Sequence, residues 1–392
     1  MRGHIFKRYE NSYTIVLSLG TDPATGKRKQ QWIGVKGTRK EAEKRLSELL
    51  HQLDTGVFFK PGKTKLAEYL EIWLRDYVRP NVSPRTAEGY ESIVRQHLIP
   101  KLGNITLTQL KPEHIQRYYS ELLSSGRCNG KGGLSARSVR YNHVTLHKAL
   151  DNAVKWGLIA RNPTGSVDLP QEKRKEIHIM NELEMNRFLG AAKSTPYYAL
   201  FYVALFTGMR RSELLALRWS DVDMLLCQLY VSRSVQRLLD GSLVYREPKT
   251  SRGRRMIALS PSTIAVLGEH RTKQENLMVQ LGMQLKEDDL VFTRIDGSPV
   301  LPDTISHAWE SLAIQTNLKG VRLHDARHSH ASLMLKQGIH PKIVQERLGH
   351  ASIQITLDLY SHVVPGLQEA AALRFDEALA SVRKNEVIEN VR

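Results

Sequence analysis

Residues 348–363 read LGHASIQITLDLYSHV. The stretch carries one tyrosine, Tyr360, between two histidines, His350 and His362. A tyrosine hydroxyl is a poor nucleophile at neutral pH because its pKa lies near 10, so a reactive Tyr360 needs nearby cations to favour the phenolate. Without them it is an ordinary half-buried core residue. The reading of this stretch therefore depends on what cations the rest of the chain supplies.

Three upstream motifs supply them. In TGMRRSELLAL, residues 207–217, an apolar helix ends at Thr207-Gly208 and Arg210 falls at the junction before a helix that begins around Ser212 and Glu213. An arginine held beside an apolar element is costly unless an anion meets it, either Glu213 in a structural ion pair or a ligand. In HDARHSHAS, residues 324–332, His324 and Arg327 lie one turn apart on one helix face, with His328 and His330 nearby. A guanidinium fork and an imidazole at that spacing suit the oxygens of a phosphate. No carboxylate or thiolate ligands join these histidines and arginine repels cations, so a metal site is not expected. In EPKTSRGRRMIAL, residues 247–259, Lys249 stands where a strand gives way to a turn, free to protonate a departing oxygen or simply to face solvent;.

The chain has 392 residues, 57 Lys and Arg against 40 Asp and Glu, and a net charge of +17. That length calls for two or three domains, and that charge for a polyanionic partner, nucleic acid first. Cys128 and Cys227 lack disulfide-framework or zinc spacing;. No signal peptide or membrane-spanning run is evident, so an intracellular protein with no membrane contact is expected.

Residues 1–60 read as a small sheet with one helix. Two β-rich runs, SYTIVLSL and KQQWIGVKG, flank the turn-forming GTDPATGKRK, and Thr38 with Glu41 caps a helix that stops near Gly56;. Residues 64–163 read as a bundle of about four helices, with Ser83-Pro84 as one start and Gly126 and Gly157 as stops;. Residues 164–180, with Lys173, Arg174 and Lys175, read as a basic linker. Asn181 and Glu184 open a mixed α/β region to residue 384, with strands in QLYVSRSVQRLL, SLVYREP and RRMIALS, and 385–392 as a tail. The fold class is thus multidomain, mainly α with small β-sheets.

The order of these motifs resembles the tyrosine recombinase, or phage integrase, family. Arg210 in TGMRRSEL, Lys249 on its hairpin, His324 and Arg327 in HDARH, His350 in LGH and Tyr360 in TLDLYSHV fill the six positions of its site. The resemblance implies a three-domain integrase of phage or conjugative-transposon type. Its parts are an arm-type DNA-binding module, a helical core-site module and a mixed α/β catalytic domain ending in a C-terminal helix. It implies attack by Tyr360 on a phosphodiester to give a 3′-phosphotyrosyl bond, two arginines and two histidines around the phosphoryl group, Lys249 as general acid, and no metal or cofactor. Glu213 and Asp325 are expected to hold the arginines and histidines. The implied partners are attachment-site duplexes, three further copies in a homotetramer on DNA, a host DNA-bending protein and an excision-directing factor, in a bacterial cytoplasm. The segment PGLQEAAALRFDEALASV is expected to form an amphipathic helix that docks on a neighbouring protomer. A DNA-binding regulator without chemistry and a type IB topoisomerase are the competing readings.

Overall fold

The structure is a computed structural model that describes residues 3–21, 26, 28–54, 63–172, 178–247, 253–360, 372, 373, 375 and 376. The chain forms two compact units, Met1–Arg174 and Lys175–Arg392.

The first unit begins with an antiparallel sheet of β1 (Gly3–Tyr9), β2 (Ser12–Thr21) and β3 (Arg28–Lys36), in that order, followed by α1 (Arg39–Asp54). The sequence pattern led to two strands; β1 is a third. Ile15, Leu17 and Leu49 form a small core between sheet and helix, joined by Ile5, Ile33 and Val35. Alternation puts Phe6 and Trp32 on the opposite phase, where both are exposed and their rings stack 6.4 Å apart;. The α1 cap forms as the sequence suggests, the Thr38 backbone N–H donating to Glu41 Oε2 at 2.6 Å and the Glu41 N–H to Thr38 Oγ1 at 3.4 Å.

The helices that follow are α2 (Leu66–Trp73), α3 (Arg79–Asn81), α4 (Pro84–Ile93), α5 (Ile99–Leu102), α6 (Pro112–Ser125) and α7 (Ala136–Lys155). They surround one core, to which all but the short α3 contribute side chains. Two of the junctions are π turns, Leu74–Val78 before Pro80 and Val94–Leu98 before Pro100. A proline has no N–H for the carbonyl four residues back and its ring crowds that carbonyl, so a widened turn lets the helix run on. Buried Trp73 packs on Tyr77 and Tyr90, and Tyr69 and Tyr118 donate their hydroxyls to the Ala149 carbonyl and Asn142 Oδ1. Ser83 and Ser135 cap α4 and α7. The start of the expected linker packs on this bundle: Gln116 Oε1 accepts from the Asp168 N–H, and Arg140 donates to the Pro170 carbonyl. Lys173, Arg174 and Lys175 lie outside the described residues.

In the second unit, α8 (Glu182–Ala192) carries the expected reciprocal cap between Asn181 and Glu184. Then come α9 (Tyr198–Thr207) and α10 (Arg211–Leu214). A sheet of β4 (Val222–Asp223), β5 (Gln228–Val231) and β8 (Arg255–Ala258) stands apart from the hairpin of β6 (Ser234–Arg237) and β7 (Leu243–Arg246). The run QLYVSRSVQRLL is therefore two strands in two sheets. The unit closes with α11 (Pro261–Gln280), α12 (Pro302–Gln315), α13 (Leu323–Lys336), α14 (Pro341–Leu348) and α15 (Ile353–Tyr360). Its core is centred on Trp309, whose ring meets Phe188 at 4.2 Å and Phe201 at 5.2 Å. The expected C-terminal helix lies outside the described residues except Ala372, Leu373, Phe375 and Asp376, which are helical.

Candidate active site

The site grows from two helix ends. α9 is apolar around its whole circumference and runs through the core, ending where Gly208 takes φ 65°;. α14 ends the same way at Gly349, φ 66°. Between these ends Arg327, on the second turn of α13, donates Nη1 to the Gly208 carbonyl at 2.9 Å and Nη2 to the Leu348 carbonyl at 2.7 Å. It is 3% exposed. Burial and the charge of Arg210 push its pKa down, while Glu213 opposes them.

Arg210 stands in extended backbone just before α10. Its backbone N–H donates to Glu213 Oε2 at 2.9 Å, its Nη1 to Glu213 Oε1 at 2.7 Å, and its Nη2 to the Gly349 carbonyl at 3.2 Å. The side chain is 38% exposed, so this guanidinium is held at its base and open to a ligand. Arg211 serves a different purpose, tying α10 to α12 through the Pro302 carbonyl and Ser306 Oγ.

His350 follows Gly349. Its backbone N–H donates to the Gln345 carbonyl at 3.1 Å, its carbonyl accepts from Gln345 Nε2 at 3.2 Å, and its Nδ1 lies 2.9 Å from Thr356 Oγ1. Burial, then the charges of Arg327 and Arg210, push its pKa down to about 3, so the imidazole is neutral and within the field of both arginines. His324, one turn before Arg327, is exposed; its ring meets that of His328 edge-on at 5.0 Å. Although part of its surface is open, the packed atoms around the ring strip it of water, and this, with the charges of His328 and Arg327, lowers its pKa as well.

The structure thus brings Arg210, Arg327 and His350 together, with His324 beside Arg327. Tyr360 is the last residue of α15, which packs against α13 and α14. Lys249 lies outside the described residues. Glu213 holds Arg210 as expected. Asp325 spends its hydrogen bonds on Arg322, accepting from its Nε, Nη2 and backbone N–H to close the first turn of α13, and acts on His324 and His328 only through its charge.

Three contributors escaped the sequence reading. Arg255 at the start of β8, its side chain 6% exposed, donates to both oxygens of Glu213 at 3.2 and 2.8 Å and to the Arg347 carbonyl at 2.7 Å. Burial would raise the Glu213 carboxyl, but Arg255 and Arg210 hold it below its ordinary value. Arg347 joins the Phe206 and Ala258 carbonyls and donates Nε to His330 Nε2. The third is Thr356. A signal existed for Arg255, which shares a strand phase with buried Ile257 and so puts a charge on the inward face;. For Arg347 and Thr356 none did.

Chemically, two neighbouring guanidiniums, anchored by carbonyls and Glu213, and neutral imidazoles make a cationic, donor-rich cluster in which only the Arg210 and His324 side chains are substantially open to solvent, a composition that suits an anion;. Among the described residues no group of His, Cys, Asp and Glu gathers as metal ligands, and no helix is long and apolar enough to cross a membrane.

The phage integrase family matches residues 178–365, and the N-terminal SAM-like domain of phage integrases matches residues 65–123. The ICEBs1 integrase of Bacillus subtilis (strain 168) is 29% identical over 376 residues, covering 95% of this chain and 99% of the relative. A protein described as tyrosine recombinase XerC-like, from Caldanaerobacter subterraneus subsp. tengcongensis, is 28% identical, covering 92% and 94%. Among solved structures, the Tn1549 transposon integrase in complex with a circular intermediate DNA superposes with a TM-score of 0.67 at 21% identity, covering 80% of this chain and 99% of that one. These matches define a tyrosine recombinase, an enzyme of site-specific DNA strand cleavage and rejoining. The chain belongs to the phage integrase family.

Proposed function

We propose that this recombinase integrates and excises a mobile element through a 3′-phosphotyrosyl intermediate, with Arg210, Lys249, His324, Arg327, His350 and Tyr360 as its catalytic residues. The observation that carries the reading is the convergence of Arg210, Arg327 and His350, from three separate segments, on one carbonyl-braced cluster. Tyr360, as its phenolate, attacks the scissile phosphorus, the bond to the 5′-oxygen breaks, and Lys249 protonates that departing oxygen, which leaves as the 5′-hydroxyl. The arginines and histidines stabilise the charge that builds on the phosphoryl oxygens, a task in which loss of one donor typically slows the reaction by roughly 100- to 1,000-fold. The bond energy stays in the phosphotyrosine, so a 5′-hydroxyl from a partner duplex reverses the step. None of these roles draws on a metal or cofactor.

The partner is double-stranded DNA, which the net charge of +17 favours;. Residues 1–60 are the arm-site module, whose sheet presents Phe6 and Trp32, residues 64–163 the core-site module, and 181–384 the catalytic domain. Four protomers act on two duplexes, coupled by the C-terminal segment docking in trans. A host DNA-bending protein and an excision-directing factor assist, in a bacterial cytoplasm. The relatives from an integrative element and a transposon favour the mobile-element reading.

The test is a nicked suicide duplex whose site is selected from a random pool by binding to the protein. A covalent protein–DNA band on a denaturing gel, absent in Tyr360→Phe while the variant still binds the duplex, is the expected result. Tight binding with no covalent band from the parent protein would replace the recombinase with a regulator. Efficient relaxation of plasmids lacking the site would replace it with a topoisomerase.

A further inference from the structure

Thr356 is fully buried on α15, and its Oγ1 lies 2.9 Å from His350 Nδ1. The two residues come from different elements. His350 hangs from the turn after α14, its backbone pinned twice to Gln345, whereas Thr356 belongs to the helix that ends at Tyr360. A valine would fill the same volume at such a position without a polar atom, so a buried hydroxyl there is explained by the hydrogen bond it makes.

Chemistry decides which partner donates. A neutral imidazole has one nitrogen that donates and one that accepts. A phosphodiester oxygen has no hydrogen to give, so His350 can bind one only if Nε2 carries the proton. Nδ1 must then accept, and Thr356 must donate. Tyr360 follows Thr356 by four positions, about one turn, on the same helix α15;.

We propose that Thr356 is a positioning residue: its hydroxyl donates to His350 Nδ1, fixes the tautomer with the proton on Nε2, and sets the register of the Tyr360 helix against the turn that holds His350. This rests on the recombinase reading of His350 and Tyr360. One hydrogen bond then coordinates a phosphate donor with the backbone that carries the nucleophile, and no contact of Thr356 with DNA is involved.

Two substitutions separate hydrogen bonding from packing. Thr356→Val keeps the shape and loses the hydroxyl; Thr356→Ser keeps the hydroxyl and loses a methyl. Full-length protein is assayed for duplex affinity by gel shift and for the single-turnover rate of covalent-complex formation on the suicide duplex. The expected result is unchanged affinity for both, a cleavage rate about 10- to 100-fold lower for Thr356→Val, by analogy with loss of the outer partner that orients a metal-ligating histidine, and a near-parental rate for Thr356→Ser. Parental cleavage by Thr356→Val would overturn the proposal. So would a loss by Thr356→Ser equal to that of Thr356→Val, or a fall in affinity that matches the fall in rate, since each is the mark of a packing role. Failure of the parent protein to give a Tyr360-dependent covalent complex would instead overturn the recombinase reading on which the proposal stands.

Discussion

At Gly208 a φ of 65° carries the chain out of α9, and its carbonyl accepts from Arg327. A Cβ built there would lie 2.5 Å from Leu348 Cδ2 and 2.9 Å from His330 Cδ2, so the position is closed both by conformation and by space. Gly208→Ala is expected to cost about 2 kcal/mol or more, from left-handed backbone strain and overpacking together. Gly190→Ala on α8, where a Cβ would meet nothing within 4 Å, should be neutral or slightly stabilising;. Thermal melting of the two variants checks this, and equal midpoints would contradict it. The same motif shows what residue identity conveys. Gly208 and Arg210 were legible as a helix stop and a costly cation, but the neighbouring arginines 210 and 211 look alike in sequence. Only packing assigns one to an open cluster and the other to the Pro302 carbonyl.

At the scale of elements, the caps at Thr38, Ser83 and Asn181 were legible because capping is a local exchange of side-chain and backbone hydrogen bonds;. The strands were less so. β1 pairs with β2 through backbone hydrogen bonds, and its charged Lys7 and Arg8 mask the alternation; the 228–237 run hides a change of sheet;. The Glu213–Arg255 pair joins α10 to β8 with both side chains 6% exposed. Removing one member leaves a buried charge short of its partner, so Arg255→Met should cost about 3–5 kcal/mol. Arg255→Met combined with Glu213→Gln should cost less than the sum of the two single changes. Urea unfolding of the three variants measures this, and additive losses would show that the pair is not coupled.

For the molecule as a whole, two histidines of the second unit, His330 and His350, are folded as neutral bases. Burial and neighbouring cations push His330 down to about 4 and His350 to about 3, against an ordinary value of 6.5. Between those values and 6.5 the unfolded chain binds more protons than the folded one, so stability rises with pH through that window and is lost as pH falls through it. The thermal midpoint should therefore drop between pH 6.5 and pH 5 before the carboxylates titrate; a flat midpoint over that range would mean that these imidazoles are not held neutral. By itself the sequence determined the fold class, the helix starts at Ser83 and Asn181 and the basic character, because composition, periodicity and capping can be read along the chain, and its motif order nominated six residues for the site. Only the tertiary structure decided that Arg255 and Arg347 brace the cluster, that Asp325 serves its own helix, and that Thr356 meets His350. Those contacts join residues far apart in the chain or set the facing of a single hydroxyl, and such choices are made by packing, which no local pattern records.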